Sequence, residues 1–117
     1  MKSSFYRSSI EKITIPQKVV EIESFAFYEC SNLKIVEFNK DSKLECIGEY
    51  AFYGTSIESI HIPSNVTKIG EYAFCECYYL KKIEINKNSE LKFIDQYAFS
   101  KTLIEEIYVP SDVIKIA

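Results

Sequence analysis

Apolar residues recur along this chain in a fixed phrase. Pairs separated by one residue stand at Ile13 and Ile15, Val36 and Phe38, Ile60 and Ile62, Ile83 and Ile85, and Ile107 and Val109, at intervals of 23 or 24 residues. The dipeptide Ala-Phe follows at Ala26-Phe27, Ala51-Phe52, Ala73-Phe74 and Ala98-Phe99, at intervals of 25, 22 and 25. Sliding the chain by 47 residues superimposes Ile13 on Ile60 and Ile107, Pro16 on Pro63 and Pro110, and Val19 on Val66 and Val113; roughly half of all aligned pairs are identical. The elementary unit is 23 or 24 residues long, in two alternating kinds. One kind reads I-x-x-I-x-I-P-x-x-V-x-x-I-G-x-x-A-F-x-x-C over residues 57–77. The other has two extra residues after the apolar pair, in the polar segments 39–43 and 86–90.

The alternation in I-x-I is that of a strand with one face buried. Five such strands are expected, parallel and paired in chain order in one sheet. None is long enough to fold alone, so each apolar side must be covered by neighbouring copies. Ile-Pro ends the ladder because proline offers no N–H, and Asn39-Lys40-Asp41-Ser42 is turn-forming. Residues 69–74 suit a single helical or 3₁₀ turn on the opposite side. Ile60, Ile62, Val66, Ile69, Ala73, Phe74, Leu80, Ile83 and Ile85 should be the most buried, and the outer equivalents Ile13, Ile15, Ile107 and Val109 more exposed.

Over nearly the whole chain, from about Phe5 to Ile116, this phrase resembles the BspA-like (Treponema-type) leucine-rich repeats; A-F-x-x-C is its specific signature. The resemblance implies a β-rich α/β solenoid, a right-handed superhelix with a parallel concave sheet of about five strands over residues 1–117. It also implies surface proteins that bind host or microbial partners. The asparagine usual in leucine-rich repeats is absent, and Cys30 and Cys77 alternate with Thr55 and Thr102. Phe5 aligns with Phe52 and Phe99, so the chain opens inside an Ala-Phe turn. It therefore reads as a segment of a longer array, with end-to-end stacking of copies as the alternative.

Composition narrows the function. The chain has 117 residues, 47% of them hydrophobic, and a net charge of −3. It is too apolar for a disordered chain. It has no cluster of Lys and Arg, so nucleic acid is not an expected partner. No apolar run reaches the roughly 18 residues of a membrane helix, and residues 1–16 hold no signal-peptide core. The compartment stays open: the resemblance implies the cell surface, the missing leader the cytoplasm.

The four cysteines are read as structural thiols. Cys30 and Cys77 hold one repeat position two copies apart, about 9–10 Å at strand spacing, beyond the roughly 7 Å a disulfide spans. Cys75-Glu76-Cys77 is a lone C-x-C and a weak metal signal. Phe27, Phe52, Phe74 and Phe99, each with an aromatic two residues earlier, read as core ladders. The single His excludes a conventional triad, and no phosphate-binding or zinc-protease motif occurs. No catalytic, cofactor or metal site is expected, and the chain is read as no enzyme. Asn65-Val66-Thr67 is a glycosylation sequon that matters only in a secreted chain.

What varies between copies is the outward face of the strands. One column holds Lys12, Ile35, Ser59, Lys82 and Glu106; the other holds Thr14, Glu37, His61, Glu84 and Tyr108. In register, Glu37 and Glu84 flank His61. These ten residues are the candidate binding face of a protein-interaction module, perceived as part of a surface adhesin by resemblance. The alternative is a structural spacer or self-assembling array without a specific ligand.

Overall fold

Four strands form where the I-x-I alternation stands: β1 (Lys12–Ile15), β3 (Ile35–Phe38), β5 (Ser59–Ile62) and β7 (Lys82–Ile85). The computed structural model describes residues 5–105 and the backbone of Lys115–Ile116; the fifth expected strand, at Ile107 and Val109, lies outside the described residues. Along β5 and β7 exposed and buried residues alternate strictly, as one buried face demands. All pairing is parallel. β1 joins β3 and β5 joins β7, but β3 and β5 are adjacent without sharing a ladder. One expected sheet is therefore two. Entries alternate in length, with one residue between Thr55 and Ile57 before β5 and two between Cys30 and Leu33 before β3. Between β3 and β5 the two coils are joined through Ser56 N–H to the Leu33 carbonyl.

A third sheet, on another side of the coil, has no counterpart in the sequence expectations. β2 (Glu21–Ile22), β4 (Cys46–Ile47), β6 (Lys68–Ile69), β8 (Phe93–Ile94) and β9 (Lys115–Ile116) pair in that order. Each is two residues long, too short for a period-two signal. Each inward Ile is buried through Ile94. At Gly48 and Gly70 neighbouring coils come so close that an added Cβ would lie 2.7 Å from a backbone nitrogen.

The third side corrects the expected helical turn: no α-helix occurs among the described residues of this parallel-strand solenoid. Each Ala-Phe is bracketed by two left-handed residues four apart. Phe25, Tyr50, Tyr72 and Tyr97 have φ of 64°, 57°, 58° and 60°. Two residues after each Phe comes a second left-handed residue: Glu29, Gly54, Glu76 and Lys101. The left-handed region costs a non-glycine residue on the order of 1 kcal/mol, and the hydrogen bonds it allows offset that cost. Alternate amides point along the solenoid axis. Tyr50, Phe52 and Gly54 donate to the carbonyls of Glu71, Ala73 and Cys75 in the next coil, at 2.9, 2.8 and 3.0 Å. The amides between them, Ala51 and Tyr53, close turns onto Gly48 and Tyr50. A helical turn would aim every amide within its own coil and leave the coils unjoined here.

Axial bonding stacks like on like. Phe5, Phe27, Phe52, Phe74 and Phe99 form one continuous column with ring centroids 5.1–5.5 Å apart and planes within 13°. Phe27, Phe52 and Phe74 are fully buried. Phe25, Tyr50, Tyr72 and Tyr97 form a second column, and Tyr6, Tyr28 and Tyr53 a third. The nine residues expected at the centre of the core are all buried. Ile13 is half-buried, as expected of an outer copy. Ile15 departs from expectation and is fully buried, because Phe5 and Ile10 pack on the core from the preceding turn. Ile107 and Val109 lie outside the described residues. In the longer repeats the polar segments turn back on themselves. Ser42 N–H reaches the Asn39 carbonyl, and the nearly buried Ser42 and Ser89 hydroxyls accept from Leu44 and Leu91 N–H.

All four cysteines are free thiols; Cys30, Cys75 and Cys77 are buried and Cys46 half-buried. Two of them do more than fill space. Cys30 Sγ donates to the Phe5 carbonyl at 2.7 Å and Cys77 Sγ to the Phe52 carbonyl at 3.0 Å, each one coil back. Thr55 stands at the same place between them, its Oγ1 3.3 Å from Cys77 Sγ. A small side chain with one donor is what this column needs, hence Cys and Thr.

Two outcomes follow for stability. Phe74→Ala deletes a ring stacked on both faces and should cost about 3–5 kcal/mol, read as a fall in the denaturant midpoint; an unchanged midpoint would show the column is not core. Burial pushes the Cys77 thiol from 9.0 up to about 11. The neutral thiol is thus the folded form: its contribution is complete below the ordinary thiol pKa and is lost as pH rises through the folded value. Cys77→Thr keeps the donor and should flatten the loss of melting temperature between neutral and strongly alkaline pH. Identical alkaline slopes in variant and wild type would refute this role for the thiol.

Candidate functional site

Strand alternation that sends Ile13, Val36, Ile60 and Ile83 inward sends their neighbours out. Lys12, Thr14, Ile35, Glu37, Ser59, His61, Lys82 and Glu84 are all exposed, as expected of one face. Glu106 and Tyr108 lie outside the described residues. Within each ladder the columns form as the sequence predicts: Lys12 lies beside Ile35 and Thr14 beside Glu37, then Ser59 beside Lys82 and His61 beside Glu84. The split between β3 and β5 divides them into two four-residue patches.

Charge organises each patch separately. Lys12 Nζ reaches Glu37 Oε1 diagonally at 2.9 Å. Glu84 holds both His61 Nδ1 at 3.6 Å and Lys82 Nζ at 3.5 Å. The trio expected around His61 is therefore not assembled: Glu37 turns to Lys12, leaving Glu84 as the carboxylate beside the imidazole. Among the described residues no three His, Cys, Asp or Glu side chains come together to hold a metal ion. Ile35 is 49% exposed within the first patch, a large apolar side chain beside an ion pair.

One feature of this region escaped the sequence reading. Where the sheet divides, a cavity of about 420 Å³ opens between the two longer repeats, lined among others by Phe38, Asn39, His61, Pro63, Asn65 and Asn86. Asn86 Nδ2 lies 3.5 Å from His61 Nε2 and donates to Ser64 Oγ at 3.3 Å. The alternation of long and short repeats was the available signal: segment 39–43 and Asn86 flank the shorter turn at Pro63.

Comparison with known proteins agrees with this architecture. A family model for the BspA type leucine rich repeat region matches residues 1–117 in six copies, against the five strands counted from sequence. No curated protein matches the chain. Among solved structures, the pneumococcal vaccine antigen PcpA is 33% identical with a TM-score of 0.75, over 79% of this chain and 22% of its own. A leucine rich cell surface protein from Faecalibacterium prausnitzii is 26% identical with a TM-score of 0.59, over 87% of this chain and 33% of its own. A leucine-rich repeat protein from Bacteroides ovatus is 27% identical with a TM-score of 0.53, over 92% and 39%. The chain thus spans between about a fifth and two-fifths of these structures.

The ion pairs of the outward face are solvent-exposed, and such pairs contribute about 0–1 kcal/mol. Glu37→Gln and Glu84→Gln, singly or together, should leave thermal stability within about 0.5 kcal/mol of wild type, measured by calorimetry. A larger loss would show that this face is needed to hold the fold.

Proposed function

The chain belongs to the BspA-type leucine-rich repeat family, and from this we propose that it is a non-enzymatic module that binds a protein partner through the outward face of β1, β3, β5 and β7. The observation that carries the reading is the contrast between the two faces of these strands. The inward positions hold Ile, Val or Phe in every copy, while the outward ones pass from Lys and Thr to Ile and Glu, then Ser and His, then Lys and Glu. The inward set is consumed by the core. The outward set lies outside the core and presents an apolar side chain, Ile35, among charges. An apolar centre with a charged surround is the usual make-up of a protein interface. Glu106 and Tyr108 belong to the proposed face by their place in the repeat.

Two solved relatives, one described as a vaccine antigen and one as a cell surface protein, support a place at the cell surface and a role in adhesion. No helix among the described residues is long and apolar enough to cross a membrane, so attachment by such a helix is not part of the proposal for this segment.

The test compares wild type with an Ile35→Glu, His61→Ala, Lys82→Glu variant in saturable binding to a panel of immobilised cell-surface and matrix proteins. The variant is expected to keep its melting temperature and to bind at least about tenfold more weakly, as loss of central interface side chains does. Equal binding by variant and wild type would overturn the strand-face reading. Growth into long particles with concentration, seen by light scattering, would favour a self-assembling spacer over a binding module.

A further inference from the structure

On the Ala-Phe side, two neighbouring columns run along the solenoid. The first is Tyr6, Tyr28, Tyr53, Cys75 and Ser100; the second, one residue on, is Arg7, Glu29, Gly54, Glu76 and Lys101. Every member of the second column is left-handed, with φ between 51° and 72°, so the backbone repeats even where the side chains differ. In the turn after Phe5, the Arg7 guanidinium lies over the Tyr6 ring, Cζ 5.4 Å from its centroid. Its Nη2 stands 3.3 Å from Oε1 of Glu29, one coil further on. The arrangement is an aromatic ring, a cation and a carboxylate in the next coil.

The turn after Phe52 repeats this frame without its cation. Tyr53 takes the place of Tyr6 and Glu76 that of Glu29, but the residue between them is Gly54. A cavity of about 340 Å³ stands there, walled by Glu29, Tyr53, Glu76, Tyr78 and Tyr79. The tyrosine column also ends here. Tyr28 stacks on Tyr53 at 5.0 Å, and the next residue in the column is Cys75, not another ring. Glu76 is held at the wall by two phenols: Tyr53 donates to Oε2 at 2.6 Å and Tyr78 to Oε1 at 2.9 Å. The Tyr53 bond, more than any other influence, keeps the Glu76 carboxyl below its ordinary pKa, so the wall is anionic at neutral pH. Lys101 approaches the same carboxylate from the far side, only to 4.0 Å. Tyr78 and Tyr79 are more than half exposed, leaving apolar ring surface at the rim.

We infer that the cavity over Gly54 is a binding site for the guanidinium of an arginine side chain presented by a partner protein. The guanidinium enters where Arg7 lies one frame earlier, with the Tyr53 ring beneath it and the Glu76 and Glu29 carboxylates around it. Its planar fork suits stacking and carboxylate pairing together; the compact, strongly hydrated ammonium of lysine suits this less well. The site lies on a different side of the solenoid from the proposed strand face and is independent of it.

The test is a titration of the ¹⁵N-labelled chain with a blocked peptide carrying one central arginine, alongside the same peptide with lysine or citrulline there. The arginine peptide is expected to shift the amides around Gly54, Glu76 and Tyr78 saturably. The citrulline peptide should bind about tenfold more weakly, because a charge-assisted pair is lost, and the lysine peptide more weakly than arginine. Gly54→Arg places the chain's own guanidinium in the cavity and should abolish the shifts. The positive φ there is one that Arg7 and Lys101 already adopt in this column. Glu76→Gln keeps the size of this half-buried side chain, should weaken binding about tenfold in a chain whose cooperative melting shows that it is folded, and provides the same test without relying on Gly54→Arg to fold. Glu90→Gln and the strand-face variant should bind as wild type. Shifts spread over all acidic residues, equal binding of arginine and lysine peptides, or undiminished binding by Glu76→Gln would overturn the assignment.

Discussion

The structure depends on the hydrogen bonds that run along its axis through the Ala-Phe turns. A coil of 23 or 24 residues has too little apolar surface to fold by itself, so its stability is a nearest-neighbour property. What fixes the neighbour is a repeated backbone device: a left-handed residue, Ala, Phe, one further residue, then a second left-handed residue. Between and at these two residues every second amide leaves its own coil and binds the next. The bonds from Tyr50, Phe52 and Gly54 to the following coil and from Phe25, Phe27 and Glu29 to the coil of Tyr50 are one continuous ladder. That ladder sets the spacing that the phenylalanine and tyrosine columns then share.

Once spacing is fixed, side-chain chemistry follows column by column. Flat rings stack in parallel at about the backbone interval, so Phe is retained at each Ala-Phe turn, including the partly buried outer copies Phe5 and Phe99. A thiol or hydroxyl one coil on can reach the Phe carbonyl, as Cys30 and Cys77 do. The same spacing places Arg7 against Glu29 and Lys101 against Glu76. A column tolerates substitution to the degree that it is wet. The buried Ala and Phe columns keep one residue type, whereas the second column beyond each Phe passes through Arg, Glu, Gly, Glu and Lys without disturbing the backbone.

The sides of the coil therefore have different freedoms. The strand side presents small charged patches whose ion pairs are local, because the sheet is divided between β3 and β5. The turn side presents tyrosines whose stack breaks off at Tyr53. The second break comes from a small irregularity in the repeat: a Cys where the earlier copies have a ring, beside a Gly where the other copies have a charged side chain. Departures from the period mark the places where this surface is least uniform, and both described cavities lie at them.

The sequence by itself determined the period, the parallel pairing of β1 with β3 and β5 with β7, the inward set from Ile60 to Ile85, the Phe column and the outward position of Lys12, Ile35, His61 and Glu84. Each of these is a matter of spacing along one chain, and equal spacing forces equal stacking once the coils adjoin. The two-residue strands β2, β4, β6, β8 and β9 were not legible, because two residues carry no alternation. Nor was the left-handed backbone at Phe25, Tyr50, Tyr72 and Tyr97, since aromatic residues have no intrinsic preference for it; the axial hydrogen bonds impose it. The division of the sheet, the turning of Glu37 to Lys12 instead of His61, and the cavity over Gly54 were decided only in three dimensions. Each depends on which atoms of adjacent coils come within hydrogen-bonding or ion-pairing reach, and residue order alone does not state those distances.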